Sequence, residues 1–218
     1  MYVPVLCLDG PSGAGKGTVA QVVAERLGWH YLDSGALYRL LGFAASEQGI
    51  ALDDEAALAA LAERFDVRFE DGHMLLDGRQ IGDRIRTEEA GNNASRVAAM
   101  PVVRQALLEW QRRQAKPPGL VADGRDMGAT VFPDSKCKVF LTASAEERAQ
   151  RRYKQLREKG FSVTLARLFQ EIRERDERDA NRSASPLRPA DDAVVLDTTE
   201  LNIEQVAARV LELATERL

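Results

Sequence analysis

Histidine and cysteine, which build many metal sites and catalytic centres, are scarce in this sequence. The 218 residues include only two of each. His30 and His73 are isolated in the chain, so a histidine-based metal site or catalytic triad has nothing to build on. Cys7 lies inside an apolar segment and Cys137 directly before another, which favours two buried thiols over a disulfide or a metal site.

Long apolar runs and a strong net charge are also missing. No stretch approaches the roughly 18 consecutive apolar residues that a membrane-spanning helix needs, and no charged and then apolar leader opens the chain. The 30 basic and 34 acidic residues leave a net charge of −4, which would attract neither a nucleic acid polymer nor an anionic membrane. We therefore expect a cytoplasmic protein that binds any anionic ligand through local arginines.

The length and the order of the apolar patterns predict one α/β core with an insertion. Most of the chain alternates short apolar runs with helical periodicity, which is typical of a parallel sheet flanked by helices. Residues 66–82 differ, because Val67 and Phe69 alternate with polar neighbours and Asp71-Gly72 and Asp77-Gly78 are turn signals. This segment predicts a small antiparallel meander inside the parallel pattern.

The most informative stretch is residues 10–18, GPSGAGKGT, which follow an apolar run over residues 3–8 and precede an amphipathic helical pattern. A strand, a glycine loop and a helix in this order form a phosphate-binding loop, whose backbone N–H groups and helix N-terminus attract an anion. Lys16 would reach the outer phosphates of a nucleotide. The alternative is a glycine-rich turn with a solvated lysine.

The glycine loop departs from the common pattern at one position. Gly17 replaces the usual serine or threonine, and the hydroxyl comes one residue later, at Thr18. The GKGT ending resembles that of nucleoside monophosphate kinases, in which the metal relies more on water and substrate phosphates.

Two further stretches carry charged residues in patterns that suit an anion site. The DGRDMG segment, residues 123–128, follows a short apolar run, and ligands of open α/β sheets bind where strands end. Arg175, Asp179 and Arg182 stand at i, i+4 and i+7 and therefore share a helical face. A solvated turn and a salt-bridged solvent face are the respective alternatives. In the same way, Asp33 or Ser34 could simply cap a helix and Arg39 could be a surface arginine.

Taken together, these motifs resemble the bacterial cytidylate kinase family over essentially the whole chain. The motifs are GPSGAGKGT, DSGALYR, IRTEEAGNNASRVAAMPVVR, ADGRDMGATVFPD and IRERDERDANR. The resemblance implies a three-layer P-loop nucleoside triphosphate hydrolase fold with a five-stranded parallel sheet, a lid and a small antiparallel sheet inserted in the acceptor subdomain. We expect the core at residues 1–36 and 100–218, the lid at about 151–161 and the acceptor subdomain at about 37–99.

The resemblance also implies an activity, the transfer of the γ-phosphoryl group of ATP to CMP or dCMP with Mg²⁺, and we expect a monomer. It assigns the whole loop to ATP, with Thr18 as a candidate metal ligand acting largely through water and substrate phosphates. The ATP residues are Gly10, Pro11, Ser12, Gly13, Ala14, Gly15, Lys16, Gly17 and Thr18. The implied CMP residues are Ser34, Arg39, Ser95, Arg104, Arg125, Asp126, Arg175, Asp179 and Arg182.

Within the CMP set, the resemblance places Ser34 at the acceptor pocket and Arg39 and Arg125 on the acceptor phosphate, with Arg182 near it. Ser95, Arg104 and Asp126 would face the cytosine edge, and Arg175 and Asp179 the sugar. The implied catalytic residues are Lys16, Arg125, Arg175 and Arg182.

Other functions predict other features. A P-loop kinase for UMP, AMP or shikimate is the nearest rival, but a non-nucleotide acceptor leaves Ser95, Arg104 and the long insert without purpose. A regulatory nucleotide switch would need a guanine-reading Asn-Lys-x-Asp signature, which the sequence lacks. A structural or nucleic-acid module without activity is disfavoured by Lys16 and by the acidic composition.

Overall fold

A computed structural model describes residues 3–70, 73–158 and 160–218. The chain forms two compact units. Unit 1 combines the chain up to Leu32 with Gln114–Leu218, and unit 2 is the segment Asp33–Arg113. Because unit 2 is one uninterrupted segment, it is an insertion in the chain of unit 1.

Helices and strands follow one another in the order that the apolar patterns predict. The strands are β1 (Val5–Asp9), β2 (His30–Asp33), β3 (Val67–Glu70), β4 (His73–Leu76), β5 (Arg79–Gln80), β6 (Leu120–Asp123), β7 (Cys137–Thr142) and β8 (Val194–Asp197). The α-helices are α1 (Lys16–Leu27), α2 (Ser34–Glu47), α3 (Glu55–Glu63), α4 (Glu88–Val97), α5 (Pro101–Arg112), α6 (Ala145–Glu158), α7 (Leu165–Ala180) and α8 (Ile203–Arg217). A 3₁₀ turn spans Gly82–Ile85 and a π-helical turn spans Met127–Val131.

Unit 1 contains a five-stranded parallel sheet in the order β2-β6-β1-β7-β8. The central strand β1 pairs with β6 from Val5↔Leu120 to Leu8↔Asp123 and with β7 from Leu6↔Cys137 to Asp9↔Phe140. Alternate apolar residues of these strands pack against the apolar faces of α1 and α8 in one buried cluster. This arrangement brings the carboxyl ends of β1, β6 and β7 together, the edge at which open α/β sheets bind ligands.

Unit 2 contains helices α2 to α5 and a three-stranded antiparallel sheet in the order β3-β4-β5. Leucines and valines of α2, α3, α4 and α5 form its buried core together with Leu76 of β4. The predicted meander is confirmed, and Asp77 and Gly78 form its second turn with φ angles of 49° and 73°. The other predicted turn, Asp71-Gly72, lies outside the described residues.

Helix termini agree with the capping signals in the sequence. The carboxylates of Asp33 and Asp54 accept from backbone N–H groups in the first turns of α2 and α3, and Asn202 forms a capping box with Gln205 at α8. Gly28 ends α1 in the left-handed conformation. The local signals therefore predicted where these helices begin and end.

The predicted fold class is confirmed by the five parallel strands of unit 1 and the separate antiparallel sheet of unit 2. Cys7 and Cys137 are buried free thiols, as expected. Within the described residues, no helix is long and apolar enough to cross a membrane.

The boundaries of the predicted subdomains stay predictions. The two units are defined by how the chain packs, whereas the subdomains would be defined by the substrate that each binds. The predicted acceptor subdomain, residues 37–99, lies inside unit 2. Most of the predicted lid, residues 151–158, belongs to α6, and Lys159 lies outside the described part of the chain.

Substitution of Gly10 tests how closely the glycine loop packs against the sheet. Its φ is 144°, and a Cβ there would lie 2.0 Å from the carbonyl oxygen of Leu141. We expect Gly10→Ala to lower the free energy of unfolding by more than about 3 kcal/mol, because backbone strain and overlap with β7 add up. Urea denaturation of the free protein measures this loss.

Gly28→Ala is the matched control for this substitution. Gly28 also has a positive φ, 65°, but a Cβ there would meet nothing within 4 Å. The control should therefore lose only about 1 kcal/mol, the cost of the left-handed conformation. Equal losses in the two variants would contradict the close packing of Gly10 on Leu141.

Candidate active site

The glycine loop connects the carboxyl end of β1 to the first turn of α1. Gly15 is the N-cap of α1 with φ 84° and makes no side-chain cap hydrogen bond. The first turn of the helix therefore presents its N–H groups to the loop, an arrangement that binds anions. Lys16 is buried and donates a hydrogen bond of 2.8 Å to the carbonyl oxygen of Pro11.

The charge on Lys16 is unfavourable in the free protein. Burial lowers the pKa of its ammonium group well below the usual lysine value, and the nearby positive charges of Arg125 and Arg175 lower it further. The carboxylates of Asp123 and Asp9 oppose this shift but do not cancel it. An anion bound beside Lys16 would favour the charged form of its ammonium group.

A single buried carboxylate holds three arginines at the same end of the sheet. Asp179 of α7 is 1% exposed and pairs with Arg182. Its Oδ2 also lies 3.1 Å from Nε of Arg125 and 3.9 Å from Nε of Arg175. Three guanidinium groups lie around one carboxylate, and a phosphate is the kind of anion that such groups bind.

The shared helical face is confirmed for Arg175 and Asp179, whereas Arg182 lies two residues beyond the end of α7 and pairs with Asp179 from there. The alternative, a solvent face of salt bridges, applies to another part of α7, where Arg167 pairs with Glu171 at 2.8 Å. The arginine cluster and the exposed salt bridge both occur on α7, because this helix carries charged residues on more than one face.

The DGRDMG segment is fastened to the end of β1 on both sides of Asp126. Before it, the N–H group of Gly124 donates to the carbonyl oxygen of Leu8 at 3.0 Å. After it, the N–H groups of Met127 and Gly128 donate to the carboxylate of Asp9, each at 2.8 Å. Asp126 itself is 4% exposed, so this segment is a buried and fixed turn and not a solvated one.

Asp123, the last residue of β6, lies beside the unusual glycine of the loop. A Cβ at Gly17 would be 3.3 Å from Oδ2 of Asp123 and 3.7 Å from the hydroxyl oxygen of Tyr31. A serine or threonine at position 17 would therefore crowd the carboxylate. Thr18, which carries the displaced hydroxyl, is exposed on α1.

Arg148 of α6 braces the glycine loop against α7. Its guanidinium donates to the carbonyl oxygens of Ala143 and Ser12, both at 3.0 Å. It also forms two hydrogen bonds, of 3.1 and 2.5 Å, with the carboxylate of Asp176, which lies next to Arg175 in α7. Because Arg148 is 4% exposed, these bonds are shielded from water and hold the loop and the helix in one framework.

The other candidate residues belong to unit 2. Asp33 accepts from the N–H group of Ala36 and pairs with Arg39 at 3.0 Å, so the residue that caps α2 also orients the arginine. Ser34 begins the same helix and is buried. Among the described residues, the buried Nε of Arg39 has no hydrogen-bond partner.

The two remaining candidates of unit 2 lie on α4 and α5. Ser95 is buried in α4. Arg104 of α5 is 9% exposed, donates to the carbonyl oxygen of Ala98 at 3.2 Å and lies over the ring of Tyr38, 5.8 Å from its centroid. Since Tyr38 precedes Arg39 in α2, this contact ties Arg104 to the helix that carries Arg39.

The candidates thus form two groups, one in each unit, and their roles stay predictions. Unit 1 brings together Lys16, Arg125, Arg175, Asp179 and Arg182. The sequence interpretation missed Asp9, Arg148 with Asp176, and the role of Asp123 beside Gly17. A charged residue that ends an apolar strand could have indicated Asp9, whereas no local signal joins Arg148 to Asp176.

A parallel sheet with a central β1, a glycine loop and buried lysine at its carboxyl end, and arginines gathered around a buried aspartate at the same edge define a P-loop kinase. The family model of cytidylate kinase matches residues 6–216. The chain belongs to the cytidylate kinase family.

Relatives of similar sequence agree with this assignment, and a solved structure shares the fold. The cytidylate kinase of Aeromonas salmonicida (strain A449) is 57% identical over 219 residues, covering 99% of this chain and 95% of the relative. That of Pseudomonas paraeruginosa (strain DSM 24068 / PA7) is 58% identical over 215 residues, covering 96% and 94%. The crystal structure of an uncharacterized protein from Eubacterium ventriosum ATCC 27560 has a TM-score of 0.53 at 10% identity, with 99% of this chain and 100% of that chain covered. This last likeness shows the fold alone.

The protonation of Lys16 can be measured directly and perturbed in both directions. In protein labelled with ¹³C-lysine, the ε-carbon resonance that Lys16→Gln removes should titrate well below the ordinary lysine value of 10.5. Arg125→Gln should raise this pKa because a like charge is removed, and Asp123→Asn should lower it because an opposite charge is removed. Shifts in the same direction in both variants would contradict the charge balance described above.

Proposed function

We propose that this chain transfers the γ-phosphoryl group of ATP to CMP and dCMP. As a member of its family it is a nucleoside monophosphate kinase. The observation that carries the finer proposal is the gathering of Arg125, Arg175 and Arg182 around Asp179, near the buried Lys16 at the sheet edge where P-loop proteins bind phosphates. The reaction brings two phosphorylated nucleotides together, and their mutual repulsion is what such a site would have to overcome.

On the donor side, the glycine loop would hold the ATP phosphates. The N–H groups of residues 10–18 and the N-terminus of α1 would supply hydrogen bonds without adding mobile side chains. Lys16 would exchange its bond to Pro11 for the outer phosphates. Bound phosphate would raise the lowered pKa of Lys16, so the ammonium group would be charged in the complex.

On the acceptor side, the arginines would align the attacking phosphate. Arg125 and Arg182 share Asp179 as a buried partner, which fixes their planar guanidinium groups before substrate arrives. Arg39, oriented by Asp33, would add a contact from unit 2. Each charged hydrogen bond contributes roughly 1.5–3 kcal/mol, so several of them would outweigh the repulsion between the two nucleotides.

This chemistry requires no general base from the protein. A phosphate monoester has a second pKa of about 6 and is mostly ionised near neutral pH, so the attacking oxygen already lacks its proton. The remaining tasks are the alignment of the attacking and leaving oxygens and the stabilisation of charge on the equatorial oxygens. Lys16, Arg125, Arg175 and Arg182 would perform the second task, and Arg175 and Asp179 would also contact the sugar.

The residues beside Gly17 fit a hydrated Mg²⁺ ion held mainly by substrate. Mg²⁺ keeps several waters and takes few carboxylate ligands. The described residues contain no group of three or more His, Cys, Asp and Glu side chains that could enclose a metal. Asp123 and the exposed hydroxyl of Thr18 would hold the ion's water shell. When bound, the metal would supply neutralisation of charge on the substrate phosphates.

Selection of cytosine would depend on Asp126, Ser95 and Arg104. Cytosine offers an amino donor where uracil has a carbonyl acceptor, so a buried carboxylate pairs with the first and repels the second. Asp126 is 4% exposed, Ser95 2% and Arg104 9%, and groups this buried discriminate more strongly than exposed ones.

An acceptor panel tests the proposed activity. Release of ADP from MgATP is measured with CMP, dCMP, UMP, AMP, GMP and shikimate, each added separately. We expect CMP and dCMP to stand well above the others, because only they offer the cytosine amino group to Asp126. Lys16→Ala, which removes the charge from the glycine loop, should abolish turnover.

Each alternative result has a definite meaning. Preference for another nucleotide would remove the roles given to Ser95, Arg104 and Asp126 while leaving the phosphate contacts in place. Preference for shikimate would remove every acceptor role in unit 2. No turnover with any acceptor would favour a regulatory or binding function.

Asp126→Asn tests the base contact separately from the chemistry. An unpaired buried polar group costs about 1–3 kcal/mol, so this change should reduce the preference for CMP over UMP by roughly 5- to 150-fold. Turnover with saturating CMP should fall less, because the arginine cluster is unchanged. The ratio of kcat/KM for the two acceptors measures the preference, and an unaltered ratio would refute the contact.

A further inference from the structure

Asp9 is a buried acid that the proposed reaction leaves without a role. It is the last residue of β1, immediately before Gly10, and is 6% exposed. Each of its carboxylate oxygens accepts one backbone N–H group: Oδ1 from Met127 and Oδ2 from Gly128, both at 2.8 Å. These two hydrogen bonds therefore go to the two residues that follow Asp126.

The two hydrogen bonds complete a clamp on the turn that carries Arg125 and Asp126. The first end of this turn is held by the bond from Gly124 to the carbonyl oxygen of Leu8. The second end is held by Asp9, so consecutive residues of β1 fasten both ends. Asp126 has φ −148° and ψ 26°, outside regular strand and helix geometry. Its carbonyl oxygen accepts from the N–H groups of Thr130 and Val131 in the π-helical turn, and Asp9 holds the first two residues of that turn.

We propose that Asp9 is a positioning residue for acceptor specificity, acting through the backbone of Met127 and Gly128 to hold Asp126 in the direction that reads the base. This inference rests on the proposed function. Under this proposal β1, which leads into the phosphate-binding loop, also supports the turn that carries Asp126.

The electrostatics of Asp9 agree with a role other than stability. Burial raises the pKa of its carboxyl group to about 7, although the two N–H groups and Lys16 favour the anion. Asp126 opposes ionisation from the turn, and Cys7 is an interacting group on the same strand. A carboxylate in this place is costly, and an asparagine would offer only one acceptor for two donors.

A double-mutant cycle tests whether Asp9 acts through Asp126. The cycle consists of Asp9→Asn, Asp126→Asn and the double variant. The readout is the ratio of kcat/KM for CMP to that for UMP, in which effects on ATP binding and on the folded fraction cancel. We expect Asp9→Asn to lower this ratio about tenfold, the equivalent of part of a charged hydrogen bond. In the Asp126→Asn background, Asp9→Asn should change the ratio no further.

Ser135→Ala is the matched control. Its hydroxyl is also buried in unit 1 and donates to β1, to the carbonyl oxygen of Val5 at 2.6 Å, at the opposite end of the strand from Asp9. The control should lose stability and leave the ratio unchanged. An unchanged ratio in Asp9→Asn, or an equal fall in the presence and absence of Asp126, would overturn the proposal. A wild-type protein without preference for CMP would instead overturn the proposed function.

A measurement on the wild-type protein covers the case in which Asp9→Asn does not fold. The amide proton shifts of Met127 and Gly128 should move together as pH rises through about 7, as Asp9 ionises and becomes the better acceptor. The CMP-to-UMP ratio should rise over the same pH interval. Ionisation of the acceptor phosphate is common to both substrates and therefore cancels in this ratio. Moving amide shifts with a flat ratio, or shifts that do not move, would overturn the proposal.

Discussion

Positive charge gathered around the buried Lys16 and Asp179 is the constraint on which the organisation of unit 1 depends. Arginine cannot lose its proton in a protein, so Arg125, Arg175 and Arg182 stay charged whatever their surroundings. Only Lys16 can respond: its burial, and next the positive charges of Arg125 and Arg175, lower its pKa. Asp179 keeps the cluster together without neutralising it, which leaves the attraction for phosphate intact.

Such a cluster needs rigid supports, and each support comes from a different element. The lysine stands on the first turn of α1, Arg125 on a turn clamped to β1, Arg175 on α7 and Arg182 two residues beyond the end of α7. Arg148 joins two of these supports, because one guanidinium binds the carbonyl oxygen of Ser12 and the carboxylate of Asp176. Arg148 therefore has a structural role beside the arginines that would bind substrate, and its buried hydrogen bonds go to other parts of the protein.

Local features of this fold were predictable because they depend on neighbours in sequence. The apolar periodicity predicted the strands and helices, the turn residues predicted the meander, and Asp33, Asp54 and Asn202 marked helix starts. The i, i+4, i+7 spacing also predicted that Arg175, Asp179 and Arg182 share a helical face, although α7 ends before Arg182. The roles assigned to candidate residues came from resemblance to a family, since composition alone favoured a salt-bridged solvent face of α7.

Contacts between distant segments were not predictable in this way. Asp9 binds residues more than a hundred positions later, and Arg148 binds Asp176 from another helix. Such pairs depend on strand order and helix packing, which periodicity does not determine. The crowding of Gly17 by Asp123 belongs to the same class: the sequence showed an unusual glycine, and only the neighbouring strand supplies its physical reason.

The order of the strands also has a consequence for biosynthesis. The apolar strand β1 is made first, but both of its partners come from the second half of the chain, at residues 120–123 and 137–140. During translation the whole of unit 2, which has its own apolar core, emerges before either partner exists. The nascent chain therefore carries β1 without either partner until more than half of the 218 residues have been made, and an unpaired apolar strand is open to aggregation during that interval.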